Sequence, residues 1–296
     1  MTAAAPLAAG KETAVDLKDW IGRSETVADV ITPTPCAALA ATLDRDAERP
    51  APGTTLPPLW HWLYFLPLHR QSEIGPDGHA KRGGFLPPVP LPRRMWAGGQ
   101  FRFDAPLRTG DAVARTSTIA NVTEKSGRTG NLVFVTVRHE IRSNGAADPA
   151  LTEFHDIVYR EAPRADDPPP PPPQPAPEGP VWRKRWVSDD VLLFRYSALT
   201  FNGHRIHYDR RYVTEVEGYP GLIVHGPLIA TLLLDLLRHR LPEAEVATFR
   251  FRAVRPTFDI NPFEVCGVPA EDGKSVRLWA QDHEGWLTMD ATATLR

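Results

Sequence analysis

A short polar stretch in the last third of the chain brings together residue types that transfer protons. Asn202, His204, His207 and Asp209 lie within one loop-like segment, and His225 follows soon after. Imidazole gains and loses protons near neutral pH, whereas an amide only donates and accepts hydrogen bonds. Because several such groups converge beside a predicted helix start, the cluster predicts an acid–base site.

The remaining histidines lack comparable neighbours. A lone histidine is usually a surface residue or a hydrogen-bonded structural residue. We interpret seven histidines in this way: His61, His69, His79, His139, His155, His239 and His283.

An apolar helix is predicted directly after the polar stretch. Pro227 precedes the run LIATLLLDLLRHR and Pro242 stands just past its end, and proline is tolerated in the first turn of a helix but not within it. Gly226 therefore lies at the helix N-terminus, where free N–H groups and the helix dipole favour negative charge. We expect its N–H to stabilise an oxyanion.

The two halves of the chain repeat one order of elements. Residues 100–108 and 248–255 share the tripeptide Phe-Arg-Phe, and each is followed by a polar turn and two more β-like runs. These runs are 131–138 and 155–159 in the first half, and 275–281 and 291–295 in the second. Chance recurrence of the tripeptide is the alternative, but the shared order favours duplication.

One apolar helix-like segment precedes each strand set, at residues 59–66 and 227–241. A single apolar helix followed by antiparallel strands predicts an α+β fold in which a curved antiparallel sheet wraps a central helix. The duplication predicts two such domains in tandem.

A proline-rich stretch marks the predicted boundary between the halves. Pro168–Pro173 is an unbroken run that can neither pair in a sheet nor form a helix, and it predicts an extended polyproline II spacer. We therefore predict an N-terminal half at 1–161, a linker at 162–180 and a C-terminal half at 181–296.

The motif around His207 is similar to that of a known enzyme group. Asn202-x-x-x-Ile-His207, followed by Ile223-Val-His-Gly226, resembles the (R)-specific enoyl-thioester hydratases of the hot-dog fold, the MaoC-like dehydratases. Their pattern is Asp-x-Asn-Pro-aliphatic-His, then aliphatic-Val-His-Gly at the central helix. Here an amide replaces the acid, and His204-Arg205 replaces Asn-Pro. This variant resembles a branch with 3-methylfumaryl-CoA (mesaconyl-C4-CoA) hydratases and mitochondrial 3-hydroxyacyl-thioester dehydratases.

The resemblance implies a double hot-dog fold and hydration of an acyl thioester without a cofactor or metal. By position, it places the catalytic histidine at His207, the position of the catalytic acid at Asn202 and the oxyanion-hole glycine at Gly226. Hydration needs a group that takes a proton from water, for which imidazole is suited. Asn202 cannot act as a base, so His207 must move protons largely alone, or with Asp209 or His204 as an orienting partner.

The expected substrate is a short dicarboxylic enoyl-CoA such as 3-methylfumaryl-CoA, giving citramalyl-CoA. Arg205 would pair with its distal carboxylate, and His204 and His225 would complete the acyl site. For the CoA phosphates and adenine, the cations and aromatic ring of residues 81–96 are candidates: Arg82, Arg93, Arg94 and Trp96. A solvated proline-rich loop is the equal alternative for that segment.

Three other functions are weighed against this one. A fatty 3-hydroxyacyl-thioester dehydratase would use an apolar tunnel without Arg205. Thioester hydrolysis on the same fold would need a carboxylate that activates water, and the Val-His-Gly motif suggests none. A catalytically silent acyl-binding subunit is compatible with Asn202, but His207 and Gly226 argue against it.

Composition limits the partners and the compartment. The net charge of −2 argues against general attraction to nucleic acid or to an anionic membrane, and no stretch approaches eighteen apolar residues. The two cysteines are far apart in sequence, and the first twenty residues lack a signal-peptide pattern. We expect a cytoplasmic protein whose partner is an acyl-CoA and which is able to form a homo-oligomer.

Overall fold

The computed structural model describes residues 16–46, 49–127, 130–162 and 171–296. The expectation about the first residues, and the proline run up to Pro170, lie mostly outside these ranges. Within them, no helix is long and apolar enough to cross a membrane.

Ten antiparallel strands form one continuous sheet in the order β1-β3-β4-β5-β2-β7-β10-β9-β8-β6. The first half contributes β1 (Ser24–Val30), β2 (Arg93–Phe103), β3 (Ala112–Gly127), β4 (Gly130–Ser143) and β5 (Leu151–Arg160). The second contributes β6 (Trp182–Trp186), β7 (Val246–Ala253), β8 (Phe263–Pro269), β9 (Ser275–Gln281) and β10 (Leu287–Leu295). The α+β double hot-dog prediction is confirmed.

The two halves meet where β2 pairs with β7. Phe101 lies opposite Phe249, Gln100 opposite Arg250, and Arg102 opposite Thr248. Phe101 and Phe249 are the equivalent first phenylalanines of the two Phe-Arg-Phe tripeptides, so the pairing is symmetric about them. The repeat noticed in the sequence thus lies on an approximate two-fold axis, which supports duplication.

The central helix of the second half is α3 (Gly226–Arg240), close to its predicted bounds. Its residues Leu228–Leu237 are all buried, and it packs against β6, β8, β9 and β10. A helix that is apolar on every side belongs inside a sheet. Pro227 lies in its first turn and Leu241 ends it, one residue before Pro242.

Among the described residues of the first half there is no equivalent of α3, and the helix predicted at 59–66 is wrong. Only Trp60–Leu63 forms one turn of 3-10 helix. Leu59 (φ 69°) and Phe65 (φ 54°) adopt left-handed backbone conformations that a right-handed helix excludes. The aromatic side chains of this segment nevertheless fill the core of the first half.

Two further helices, one in each half, were not predicted from the sequence. These are α1 (Pro33–Thr42), which follows β1, and α2 (Asp190–Leu199), which follows β6. The two helices contact each other, and they occupy equivalent positions in the two halves. Asp189 caps α2 by accepting a hydrogen bond from the N–H of Leu192 at 2.7 Å.

The described end of the linker lies against the second half. The carbonyl of Gln174 accepts from the N–H of Leu287 at 2.8 Å, and the N–H of Ala176 donates to the carbonyl of Gly285 at 3.0 Å. Residues 163–170 lie outside the described ranges. The boundaries at 161 and 181 stay a prediction.

Candidate active site

The loop that carries the predicted site begins where α2 ends. Phe201 has a positive φ of 51°, which turns the chain out of the helix. The N–H of Asn202 donates to the carbonyl of Ser197 at 2.8 Å, and Oδ1 of Asn202 accepts from the N–H of His204 at 3.0 Å. The side chain of Asn202 therefore fixes the shape of the loop, a common role for asparagine in turns.

His207 is buried and has a defined tautomer. Its Nδ1 lies 2.7 Å from the carbonyl oxygen of Ile223, which can only accept, so Nδ1 carries the hydrogen and Nε2 keeps its lone pair. Burial lowers the pKa of His207 to about 4, against a smaller opposing effect of the bond to Ile223. The ring is therefore neutral near pH 7, as a base must be.

His225 supports His207 from within the core. The two rings stack with centroids 3.8 Å apart, and Nε2 of His225 shares a 2.8 Å hydrogen bond with Oγ of Ser197. His225 is fully buried, and burial lowers its pKa well below the usual value. These contacts fit a support for the His207 ring better than the predicted contact with substrate.

Gly226 is the first residue of α3, directly after His225. The first four N–H groups of a helix have no acceptor inside the helix. A side chain at this position would extend toward Met289 Cε, 4.0 Å away, so its absence leaves space above the helix start. The position of Gly226 at the start of α3 is compatible with the predicted oxyanion hole.

A hairpin from the first half covers the catalytic loop, which the sequence did not predict. It is closed by an isolated bridge between Ile74 and Ala80. The carbonyls of Pro76 and Asp77 accept from Nη1 and the N–H of Arg205, each at 2.9 Å. Gly78 and Gly203 meet so closely that a Cβ at either position would overlap the backbone of the other.

The tip of this hairpin adds an aspartate and a histidine to the site. Nδ1 of His79 donates to Oδ2 of Asp77 at 2.9 Å, and the His79 ring packs on His204 with centroids 3.9 Å apart. The ring of His204 in turn meets that of His207 edge-on at 5.6 Å. His79 therefore lies next to the predicted site residues His204 and His207, which its interpretation as an isolated structural histidine did not anticipate.

The neighbours of these rings set their protonation. Burial lowers the pKa of His204 to about 2, with further contributions from His79 and His207. Burial also lowers the pKa of His79, but the hydrogen bond to Asp77 opposes that effect. The same bond holds the pKa of Asp77 well below its ordinary value, so the carboxylate stays ionised.

Arg205 is engaged within its own loop. Its Nε and Nη2 donate to Oδ2 of Asp209 at 2.9 and 2.7 Å, and its guanidinium lies 4.1 Å from the centroid of Tyr212. Asp209 also accepts from the N–H of Tyr212 at 3.0 Å. Asp209 is thus bound to Arg205. Of the two predicted orienting partners, His204 is the one whose ring contacts that of His207.

Three of the four proposed CoA contacts are occupied by the protein itself. Arg82 binds the carbonyls of Val89, Leu91 and Pro92. Arg93 forms a 3.1 Å ion pair with Glu217. Trp96 packs on His155 at 4.0 Å and donates to the carbonyl of Gly98 at 2.7 Å, so the indole N–H and one side of the ring already have partners.

Arg94 differs from these three residues. It is half-buried and pairs with Tyr159 across β2 and β5, and its guanidinium bonds the Tyr159 side chain. Among the described residues, no carboxylate lies in ion-pair range of Arg94. Its charge contributes to lowering the pKa of both His79 and His204, so it lies on the side of the active site.

Two triads have donor atoms within 4.8 Å of one another: Asp77, His79 and His204; His139, Glu153 and His155. Hydrogen bonds account for the geometry of both. In the first, His79 donates to Asp77. In the second, Glu153 accepts from Nε2 of His61 at 3.0 Å and from Nε1 of Trp62 at 3.3 Å, and Nδ1 of His139 shares a 2.8 Å bond with Oγ of Ser117. We assign no metal ligand in the described part of the chain.

Two known proteins are similar to most of this chain. The chain is 47% identical over 283 residues to a protein named mesaconyl-C(4)-CoA hydratase from Chloroflexus aurantiacus, covering 96% of this chain and 99% of that protein. It is 27% identical to the mitochondrial hydroxyacyl-thioester dehydratase type 2 of Schizosaccharomyces pombe, covering 72% of this chain and 78% of that protein.

Solved structures show the same fold. A MaoC-like dehydratase superposes with a TM-score of 0.71 at 14% identity, covering 95% of this chain and 99% of that chain. A Mycobacterium tuberculosis protein described as a double hotdog fold superposes with a TM-score of 0.59 at 14% identity, covering 93% and 96%. The model of the hydroxyacyl-thioester dehydratase type 2 family matches residues 59–259, and the chain belongs to that family.

Proposed function

We propose that this protein catalyses the reversible hydration of a short dicarboxylic enoyl-CoA, with 3-methylfumaryl-CoA (mesaconyl-C4-CoA) giving citramalyl-CoA. The relative that matches nearly the whole chain at 47% identity carries the name of that hydratase. The observation that carries the proposal is the position of His207, a neutral buried base beside the free amide of Gly226.

The site has two of the features that hydration of a conjugated thioester requires. Nε2 of His207 accepts a proton from the water that attacks Cβ. The N–H of Gly226, at the positive end of α3, stabilises the negative charge that grows on the thioester oxygen. Asn202 holds the loop that leads to His207 through its bond to the N–H of His204.

The packing of the first half favours a short acyl group over the alternative fatty substrate. Trp60, Leu63 and Phe65 are buried in the same core cluster as Phe101. A long acyl chain needs an apolar tunnel, and we propose that this packed segment leaves no room for one.

The second carboxylate of the substrate needs a cation. Arg205 was expected in this role, but its guanidinium is already paired with Asp209. We therefore propose Arg94 as the residue that meets the distal carboxylate, since it is half-buried, lies near His79 and His204, and has no carboxylate partner among the described residues. Cytoplasmic location and assembly into a homo-oligomer remain parts of the proposal, the latter measurable by light scattering.

A substrate panel tests the function directly. Purified protein is incubated with crotonyl-, 3-methylfumaryl-, itaconyl- and trans-2-decenoyl-CoA, loss of enoyl absorbance is followed, and products are identified by mass spectrometry. We expect the highest kcat/KM for 3-methylfumaryl-CoA, with citramalyl-CoA as the product. A preference for trans-2-decenoyl-CoA would favour the fatty dehydratase, and hydration of none of the four would reject the proposal.

Substitution of His207 tests the site. His207→Gln removes the base and should lower kcat by about a thousandfold, within the range of general acid–base catalysis. The matched control is His283→Gln, because His283 is an exposed histidine of the same half. Near-normal turnover by a folded His207→Gln protein would exclude His207 as the base.

A further inference from the structure

Hydration needs a second proton-transfer group that the catalytic loop does not provide. Water gives one proton to a base, and Cα must gain a proton from an acid. In the general pattern of the enzyme group a carboxylate accompanies the histidine, but here that position is Asn202, which does not titrate. Asp209, the nearest acid of the loop, is bound to Arg205.

The hairpin of the first half brings a carboxylate and an imidazole to this site. Asp77 holds Nδ1 of His79 at 2.9 Å, so Nε2 of His79 is the nitrogen left for another partner. The ring of His79 contacts His204 at 3.9 Å, and His204 contacts His207 at 5.6 Å. Two backbone contacts fix the hairpin on the loop: Asp77 O with the N–H of Arg205, and Gly78 with Gly203.

We propose that His79, positioned by Asp77, is the second proton-transfer group of the active site, so that the two halves of the chain share the chemistry. This inference rests on the proposed function. His79 replaces the acid that the position of Asn202 no longer supplies.

The proton steps balance with His207 and His79 in opposite roles. As the oxygen of water bonds to Cβ, its proton passes to Nε2 of His207. The π electrons of the double bond form the new Cα–H bond with the proton on Nε2 of protonated His79, which becomes neutral. The proton on His207 then returns to His79 through water, so that H and OH have been added and both rings are restored.

The charges around the rings support this division of roles. Asp77 is a carboxylate hydrogen-bonded to His79, and it favours the protonated ring. Burial of His79 and the charge of Arg94 from β2 oppose protonation of the ring and lower its pKa. His207 faces a carbonyl instead of a carboxylate, and its pKa of about 4 keeps it neutral. His79 is therefore the ring that more readily carries the proton.

Two substitutions of His79, made in the whole chain, test the proposal with 3-methylfumaryl-CoA as the substrate. His79→Asn keeps an N–H donor for Asp77 but has no group that carries a proton. His79→Gln keeps a polar group near the position of Nε2. Each should lower kcat by about a hundredfold or more, with KM changed little and thermal unfolding near that of the parent. The control is His69→Gln, an exposed histidine of the same connecting segment.

Asp77→Asn gives a readout that a purely structural role would not move. Because Asp77 favours the protonated ring, its removal lowers the pKa of His79. The limb of the hydration pH profile that falls with rising pH should therefore move to lower pH. Asp148→Asn, an exposed aspartate of the first half, should leave the profile unchanged.

The outcomes separate this proposal from the proposed function. Hydration by the parent together with normal kcat in His79→Asn would reject the role of His79 and leave the hydratase standing. An unshifted pH profile in Asp77→Asn would reject the positioning role. A parent protein that hydrates none of the enoyl-CoA substrates would reject both proposals.

Discussion

Asn202 differs chemically from the acid of the general pattern, and the structure gives it a second task. Its Oδ1 accepts from the N–H of His204 at 3.0 Å, which holds the ring that contacts both His79 and His207. A buried or half-buried hydrogen bond of this kind contributes about 1 kcal/mol. Asn202 therefore fixes the geometry of the loop, in addition to any contact that it makes with the attacking water.

Asn202→Ala and Asn202→Asp separate the two tasks. We expect Asn202→Ala to lower kcat by about tenfold or more and to reduce the free energy of unfolding by about 1 kcal/mol, because the loop loses its bond. Asn202→Asp keeps an acceptor and should retain measurable turnover. Steady-state kinetics and urea unfolding of both variants provide the measurement. Parent-like turnover in Asn202→Ala would show that the loop does not depend on this side chain.

Arg205 was expected to recognise the distal carboxylate, and its contacts now predict a different outcome. Because both donors that face Asp209 are occupied, Arg205→Met should lower kcat/KM for 3-methylfumaryl-CoA and for crotonyl-CoA by similar factors. Arg94→Met is the matched comparison. It should depress only the dicarboxylic substrate, by roughly tenfold or more, since a charged hydrogen bond contributes about 1.5–3 kcal/mol.

The comparison has a clear contrary result. A loss confined to 3-methylfumaryl-CoA in Arg205→Met would mean that Arg205 leaves Asp209 to bind the substrate. In that case Arg94→Met should affect both substrates equally or neither.

At the scale of elements, the active site depends on how one hairpin docks on one loop. Gly78 has a φ of 91°, and any Cβ there would overlap the carbonyl of Gly203. Gly78→Ala should therefore displace the hairpin and lower kcat by about tenfold or more, through the shared position of His79. Gly53→Ala is the control, because Gly53 has a similar φ of 83° but a Cβ there would meet no atom within 4 Å.

The two alanine variants should differ in activity much more than in stability. Both substitutions strain a left-handed backbone position, so both lower the melting temperature. Only Gly78→Ala adds the overlap with Gly203. Equal kcat/KM values for the two variants would show that hairpin docking does not matter to turnover.

Sequence patterns predicted the helices and strands whose signal lies within one short stretch of the chain. Strong apolar content and flanking prolines identified α3, and alternation identified segments of β2, β4, β5, β7, β9 and β10. Four strands were missed for identifiable reasons. The β1 and β6 strands lie at the sheet edges with mostly exposed residues, β3 is rich in small polar residues, and β8 is interrupted by Gly267.

The helix predicted at 59–66 failed because apolar content alone does not distinguish a helix from a packed irregular segment. Leu59 and Phe65 take left-handed conformations that no local pattern announces. The place of His79 was missed for a related reason. Its contact with His204 depends on the docking of the two halves, although Asp77-Gly-His79, a turn glycine between an acid and a histidine, offered a local signal.

At the scale of the whole molecule, the two halves have diverged on their inner faces. Along the symmetric ladder, Phe101 lies opposite Glu153, which lies opposite His139; Phe249 lies opposite Ala293, which lies opposite Val276. The half that wraps α3 is apolar at these positions. The half without the helix carries a buried polar network in the same place.

This network makes the stability of the protein sensitive to acid. Burial lowers the pKa of His139 to about 4 and that of His155 to about 3, with charged neighbours contributing less. The ordinary histidine pKa in an unfolded chain is about 6.5. Below that pH the unfolded chain binds protons that the folded protein does not, so stability is present above about pH 6.5 and is lost as the pH falls.

Substitution of His155 isolates one contribution to this loss. Each such histidine steepens the fall in the free energy of unfolding by up to about 1.4 kcal/mol per pH unit between about pH 6.5 and its folded pKa. His155→Leu should remove that share, so that urea unfolding measured at pH 7, 6 and 5 gives a shallower slope than in the parent. Leucine is chosen because Leu295 occupies the equivalent position in the second half: His155 lies two residues after Glu153, and Leu295 lies two residues after Ala293, the counterpart of Glu153. His283→Leu, an exposed control, should keep the slope of the parent. Parallel slopes for the parent and His155→Leu would show that His155 binds protons equally in the folded and the unfolded states.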